Sequence, residues 1–354
     1  MSQVSNRAGA ANVLDLPRVT NFLAGRVGGL DAPLSASLIS GGRSNPTYLL
    51  TSGERRWVLR RPPYGHVLPS AHDVGREYVV LRALLDSAVP VPRALFICQD
   101  PDVIGAPFYV MDFVDGVLLD TVQTARSVDP ADRRRASFAM ARAIADLHRI
   151  EAESVGLGNF GRPQGYLERQ LARWAKQWRA SRTTDRPEVD TLLAKLGRDV
   201  PENIFPGIVH GDVKLDNILV APGDYSQIAA VLDWEMATVG DTLCDVGIML
   251  GFWDNGATTD NPLTIGMTRL DGFPTRHELL GCYAHHRGIA PPPLDWYLVF
   301  ADVKLAVIME GIHARHSAGA TVGRGFDGVA GMVTPLLQRA LITAADSSVP
   351  ELRR

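Results

Sequence analysis

The segment Ile208–Val220, IVHGDVKLDNILV, constrains the fold of this chain more than any other stretch. Apolar runs flank a knot of His210, Asp212, Lys214, Asp216 and Asn217. Two short strand-like runs follow, joined by a turn containing Pro222, Gly223 and Asp224, and the second run closes on Asp233 in VLDWE. Strand, turn and strand at this spacing predict a hairpin. A hairpin folds Asp212, Asn217 and Asp233 toward one another, so two carboxylates and an amide oxygen converge. Hard oxygen donors of this kind suit Mg2+ rather than zinc, and magnesium held by few side chains usually holds phosphates too. A solvated turn between strands is the plain alternative, and it would not require spacing, hairpin and downstream Asp to agree.

The rest of the chain divides around this segment. Residues 13 to 29 read as a short amphipathic helix ended by Gly28 and Gly29. LSASLIS, TYLLTS and RRWVLRR then read as three strands, followed by a helix that starts at Asp73 and by two further strands, ALFICQD and PFYVMDFVDG. From about Leu118 helical periodicity dominates, broken only by the hairpin. The expected organisation is a frayed terminus over 1–14, a small sheet with one helix over 15–115, and a mainly helical region over 116–354. This is an α+β architecture with two lobes.

The order Asp-x-Lys-x-x-Asn, then an Asp at the end of a hairpin, is that of a phosphoryl-transfer site of the protein-kinase type. HGDVKLDN and VLDWE resemble the motifs of the aminoglycoside phosphotransferase family, which has a protein-kinase-like bilobal fold. GGRSNPTY, GYLERQLARW and WEMATVGDTLCDVG are similar to the subgroup that includes kinase-like domains fused to some acyl-CoA dehydrogenases. The resemblance covers roughly residues 15 to 340. It implies an ATP- and Mg2+-dependent kinase acting on a small-molecule hydroxyl, with an acyl-CoA-linked acceptor such as a hydroxyacyl-CoA in lipid breakdown. Carried over residue by residue, it makes Asp212 the catalytic base and Asn217 and Asp233 the Mg2+ ligands. Lys214 would lie against the transferring phosphoryl group, where the aminoglycoside enzymes commonly carry His. His210 would brace the loop.

SGGRSNPTY would be the loop over the nucleotide phosphates, with Gly41 and Gly42 letting the backbone approach and Ser44 and Asn45 donating hydrogen bonds. A Gly-Gly turn between two strands is the alternative. WVLR places Arg60 where a protein kinase has Lys, with Arg61 beside it. Arg60 shares a strand face with Val58. Glu77, on the apolar face of the following helix, is its expected partner, although a Glu in a first helical turn also satisfies the macrodipole. The segment Met111 to Val114 resembles the hinge whose backbone meets the adenine edge, unless it is merely an edge strand. Asp245 resembles a residue that braces the catalytic loop, and a plain N-cap reads equally well. Trp174 and Trp178, four apart on a helix, suit core packing or the wall of a substrate cleft.

Composition removes several other classes. The chain carries 36 Lys and Arg against 39 Asp and Glu, with no basic block suited to nucleic acid. Residues 251 to 354 hold ten acidic and nine basic residues, a balance that disfavours a polycationic antibiotic as acceptor. Cys98, Cys244 and Cys282 lie far apart, against a zinc site or disulfide framework and consistent with a cytoplasmic protein. The apolar stretch WYLVFADVKLAVIMEG is broken by Asp302 and Lys304, against a membrane span. Glu310, His313 and His316 lack a matching second set of metal ligands. The other functional class is a non-catalytic nucleotide- or acyl-CoA-binding module, favoured by Arg60 and opposed by the complete set Asp212, Asn217 and Asp233. Dehydrogenase chemistry is disfavoured, because the segment after Gly41 and Gly42 reads as a strand where a dinucleotide fingerprint requires a helix.

Overall fold

The computed structural model describes residues 14–40, 45–62, 73–254, 256, 261–319, 326 and 328–354. They form two compact units. The first contains the described residues up to Arg82 together with Pro92–Val114; the second contains Ala83–Val91 and the described residues from Asp115 onward, those after Gly325 included.

In the first unit the N-terminal helix is shorter than its periodicity predicts: α1 spans Leu16–Leu23. Asp15 caps it, its Oδ1 accepting the Arg18 N–H at 3.1 Å. It stops where Ala24 leaves helical geometry at ψ 124°. Next come β1 (Ser35–Ser40), β2 (Thr47–Ser52), β3 (Arg55–Arg60), α2 (Val74–Leu84), β4 (Ala94–Cys98) and β5 (Phe108–Asp112). The strands build one antiparallel sheet in the order β1-β2-β3-β5-β4. Tyr48 and Leu50 of β2, Trp57 and Leu59 of β3, and Phe108 and Val110 of β5 join Val19 and Leu23 of α1 in one apolar cluster. Strand alternation therefore puts Val58 and Arg60 on the opposite face from Trp57 and Leu59. β5 lies inside the sheet, in register with β3 on one side and β4 on the other. The edge-strand reading of this segment is thus corrected: sheet order does not follow chain order here.

The second unit runs α3 (Val122–Arg126), α4 (Pro130–Arg149), α5 (Tyr166–Ser181), α6 (Pro187–Arg198), β6 (Pro206–Val209), β7 (Ile218–Ala221), β8 (Asp224–Val231), β9 (Thr238–Asp241), α7 (Leu243–Gly251), α8 (Arg276–Arg287), α9 (Asp295–Ser317), α10 (Ala330–Ala345) and α11 (Pro350–Arg353). β7 and β8 form the expected hairpin, turning at Gly223 with φ +84°. β6 pairs with β9 in a separate two-stranded sheet. α9 is buried on nearly all sides for most of its length, and it packs on α5, α7 and α10. A helix apolar all round belongs in a core, and the three buried charges that interrupt this one are all partnered: Glu310 accepts from the Thr183 hydroxyl at 2.7 Å. Asp302 accepts from Arg339 Nε of α10 at 2.9 Å; Lys304 reaches the loop after β6. No helix among the described residues is long and apolar enough to cross a membrane.

Candidate active site

The polar knot is the loop between β6 and β7, and its backbone is held by a buried carboxylate. β6 pairs with β9, and β9 leads into α7, which carries Asp245 in its first turn. Asp245 Oδ2 accepts the His210 N–H at 2.6 Å and Oδ1 accepts the Gly211 N–H at 2.7 Å. His148 Nε2 of α4 lies 3.1 Å from the same Oδ2, and His148 Nδ1 lies 2.8 Å from the Tyr283 hydroxyl. Asp245 therefore braces the loop. It does not cap its own helix, whose N-cap is Thr242. Burial pushes the Asp245 carboxyl above its usual value, although the N–H donors of Gly211 and His210 oppose the shift.

Gly211 has φ +88°, and a Cβ there would lie 2.8 Å from the Met236 carbonyl oxygen. Gly211→Ala is expected to cost about 2–3 kcal/mol of stability, read as a lower denaturant midpoint at unchanged slope.

His210 is fixed at both ring nitrogens. Its Nδ1 accepts the Asp212 N–H at 3.2 Å and its Nε2 lies 2.9 Å from the Leu232 carbonyl oxygen. A nitrogen that accepts from N–H carries no proton, so the ring hydrogen sits on Nε2 and donates to Leu232. The ring also packs 4.6 Å from Trp234. Bracing by His210 is thus the observed geometry.

The Asp212 carboxylate meets two donors. Lys214 Nζ lies 2.9 Å from Oδ2, and Asn217 Nδ2 donates to Oδ2 at 3.0 Å and to the Asp212 carbonyl at 2.8 Å. Burial, the largest influence, raises the Asp212 carboxyl, but the Lys214 ammonium beside it, with Lys304 adding, holds it below its usual value. Burial lowers Lys214, yet Asp212, Asp216 and Asp233 outweigh it and leave the ammonium more firmly protonated than usual. Asp216 is pushed up to about 6, by burial first, with Lys214 opposing and Asp212 and Asp120 adding.

The hairpin brings the other two candidates to its open end. The Leu232 N–H donates to the Asn217 carbonyl at 2.8 Å, so Asp233 follows directly beside Asn217. Asp233 lies two residues beyond β8 and not at its end, with φ +64°. A non-glycine residue in this region is uncommon outside functional turns, and Asp is among those that tolerate it. The Asn217 amide hydrogens are used on Asp212, which leaves its Oδ1 to act as an acceptor. The donor set, an amide oxygen and a carboxylate beside the Asp212 carboxylate, fits a hard divalent cation such as Mg2+.

In the first unit, Arg60 Nη1 lies 2.7 Å from Glu77 Oε1, with both side chains buried. The two are the pair expected from strand and helix faces. Arg61 is also buried, but it turns to main-chain oxygens, with Nε 3.0 Å from the Pro62 carbonyl. Asn45 is fully buried, and neither its amide oxygen nor its nitrogen finds a partner among the described residues. A buried amide of this kind suits a polar ligand group. Gly41, Gly42 and Ser44 lie outside the described residues. Met111 is inside β5, between Val58 and Ala94, so its peptide groups belong to the sheet. Val114, two residues past β5, makes no main-chain hydrogen bond among the described residues.

Sequence reasoning passed over Lys304 and Asp216. Lys304 read as a break in an apolar stretch; the usable signal was a cation on a helix with no polar face. Asp216 stood within the quoted knot but had no role in the motif order. Trp174 and Trp178 are buried, and Lys304 Nζ lies 5.6 Å from the Trp174 ring centre.

The family model described as "Phosphotransferase enzyme family" matches residues 35–280. Acyl-CoA dehydrogenase family member 11 of Gallus gallus is 35% identical over 319 residues, which cover 87% of this chain and 40% of that protein. The chain thus spans about two-fifths of the length of that curated relative. A crystal structure of a Ralstonia eutropha protein, provisionally described as an aminoglycoside phosphotransferase, superposes with a TM-score of 0.79 at 29% identity, covering 95% of this chain and all of that one. A thermostable variant of the aminoglycoside phosphotransferase APH(4)-Ia, in ternary complex with AMP-PNP and hygromycin B, gives a TM-score of 0.62 at 17% identity over 93% of this chain and 99% of that one. These likenesses show an α+β, protein-kinase-like bilobal fold with a small antiparallel sheet lobe and a larger helical lobe.

Proposed function

We propose that this chain, which belongs to the phosphotransferase enzyme family, transfers the terminal phosphoryl group of ATP to the hydroxyl of a small molecule. The observation that carries this reading is the cluster at the hairpin: Asp212 held by Lys214 and Asn217, with Asp233 beside Asn217. Asp212 would accept the proton of the acceptor hydroxyl as that oxygen bonds to phosphorus. Its lowered pKa keeps it ionised at neutral pH, and the hydrogen bond from Asn217 fixes its orientation. Lys214 would offset negative charge near the reacting oxygens. Asn217 and Asp233 would hold Mg2+, which neutralises phosphate charge when bound. In the first lobe, Arg60 oriented by Glu77, with Asn45, Gly41, Gly42 and Ser44, would bind the nucleotide phosphates. Main-chain groups at Val114, more than at Met111, would meet the base.

An acyl-CoA-linked hydroxyl is the acceptor class to test first. Support comes from the acyl-CoA dehydrogenase names of the relatives that this chain matches in part. The matched region has a kinase-like fold and a wholly antiparallel main sheet, so a hydroxyacyl-CoA kinase accords with it better than a dehydrogenase does. A non-catalytic binding module is the second reading, supported by Arg60 at the usual Lys position. The intact Asp212, Asn217 and Asp233 speak against it.

The test is mass spectrometry of a mixed panel of hydroxyacyl-CoAs, aminoglycosides and amino alcohols incubated with Mg-ATP. One compound is expected to gain a phosphoryl group. Consumption of no acceptor, with ATP bound but unchanged, would favour the binding module. Chelation by EDTA is expected to lower transfer by at least about 100-fold, and added Mg2+ is expected to restore it. Turnover that survives exhaustive chelation would remove the metal role from Asn217 and Asp233.

A further inference from the structure

We propose that Lys304 is a positioning residue for Asp212: its buried ammonium fixes the Gly211–Asp212 peptide and so sets the direction of the Asp212 carboxylate. The structural half of this proposal stands alone; its catalytic half rests on the phosphotransferase reading.

Lys304 is 7% exposed on α9. Its Nζ donates to the Gly211 carbonyl oxygen at 2.6 Å and lies over the Trp174 ring. No carboxylate among the described residues comes within ion-pair distance of it. Burying a cation is costly unless its charge is used, and a neutral donor would satisfy a carbonyl. The nearby carboxylates that its field reaches are Asp212 and Asp245, the two that define the loop, with the Cys244 thiol also near and the Arg173 guanidinium opposing.

The peptide unit preceding Asp212 is held at both ends. Lys304 takes its oxygen, and His210 Nδ1 takes its N–H at 3.2 Å. Asp245 takes the N–H one peptide earlier, at Gly211. Without Lys304 the carbonyl end is free to turn about a glycine, the residue with the widest backbone freedom. A turn of that plane moves the Cα of Asp212 and aims its carboxylate elsewhere. Lys214 and Asn217 hold the carboxylate itself, but both follow Asp212 on the same loop. Lys304 holds the loop from a different element, 93 residues away in sequence.

The experiment compares wild type with Lys304→Met and Lys304→Leu in the full chain. Hydrogen exchange of the amides of residues 210–213 is expected to be about 10-fold faster or more in Lys304→Met, with exchange in α4 and α10 unchanged. With an accepting hydroxyl, kcat is expected to fall about 100-fold while KM for nucleotide stays within about threefold. A merely structural role would instead raise exchange throughout the second lobe and leave kcat per folded molecule intact. Lys304→Leu also removes the donor and carries the same test if Lys304→Met does not fold. Unchanged loop exchange overturns the proposal, and so does unchanged kcat in an enzyme whose wild type turns over. A wild type that phosphorylates nothing sinks the phosphotransferase reading alone, and the exchange data still decide what Lys304 does.

Discussion

Asp212→Asn is expected to lower phosphoryl transfer by about three orders of magnitude, within the range for loss of a general base. The change keeps shape and removes the charge that would receive the proton. Its effect on folding is expected to be small. The Asp212 and Lys214 side chains are 21% and 23% exposed, and Lys214 retains the field of Asp216 and Asp233. A partly exposed pair of this kind contributes about 1 kcal/mol or less. Turnover and thermal midpoint measured on the same preparation check both halves. A variant that retains wild-type turnover would remove Asp212 from the role of base.

Asp245→Ala is expected to act on folding instead, costing about 3–5 kcal/mol. The substitution leaves the N–H groups of His210 and Gly211 and the ring of His148 without their shared acceptor, all in the interior. Urea denaturation should show an unfolding free energy lower by that amount, with activity lost through the loop. A stability within about 0.5 kcal/mol of wild type would mean that the loop has another brace.

What the sequence made legible was local or periodic. Knot, turn and downstream Asp predict the β7–β8 hairpin because strand spacing fixes which residues meet. Helical periodicity marks the region after Leu118 as mainly helical, and Trp174 and Trp178 do lie on one helix, α5. The Arg60–Glu77 pair followed from two face arguments, strand alternation for one residue and helix spacing for the other. The rest depended on contacts between distant segments. Asp245 reads equally well as a cap or a brace until α7 is seen to carry it under the His210 and Gly211 amides. Lys304 looked like a defect in an apolar helix until α9 was placed against the loop. The interior position of β5 could not be read from chain order, because β5 inserts between β3 and β4. Local backbone geometry shortened α1 at Ala24, before the glycines that its sequence offered as a stop.

The most direct test of the central reading is transfer from ATP labelled with 18O at the γ-phosphoryl group. Wild-type protein should move the labelled phosphoryl to the acceptor hydroxyl with one ADP formed per ester, and Asp212→Asn should not. Transfer at equal rates in both proteins, or bound ATP left intact across the whole acceptor panel, would contradict the account.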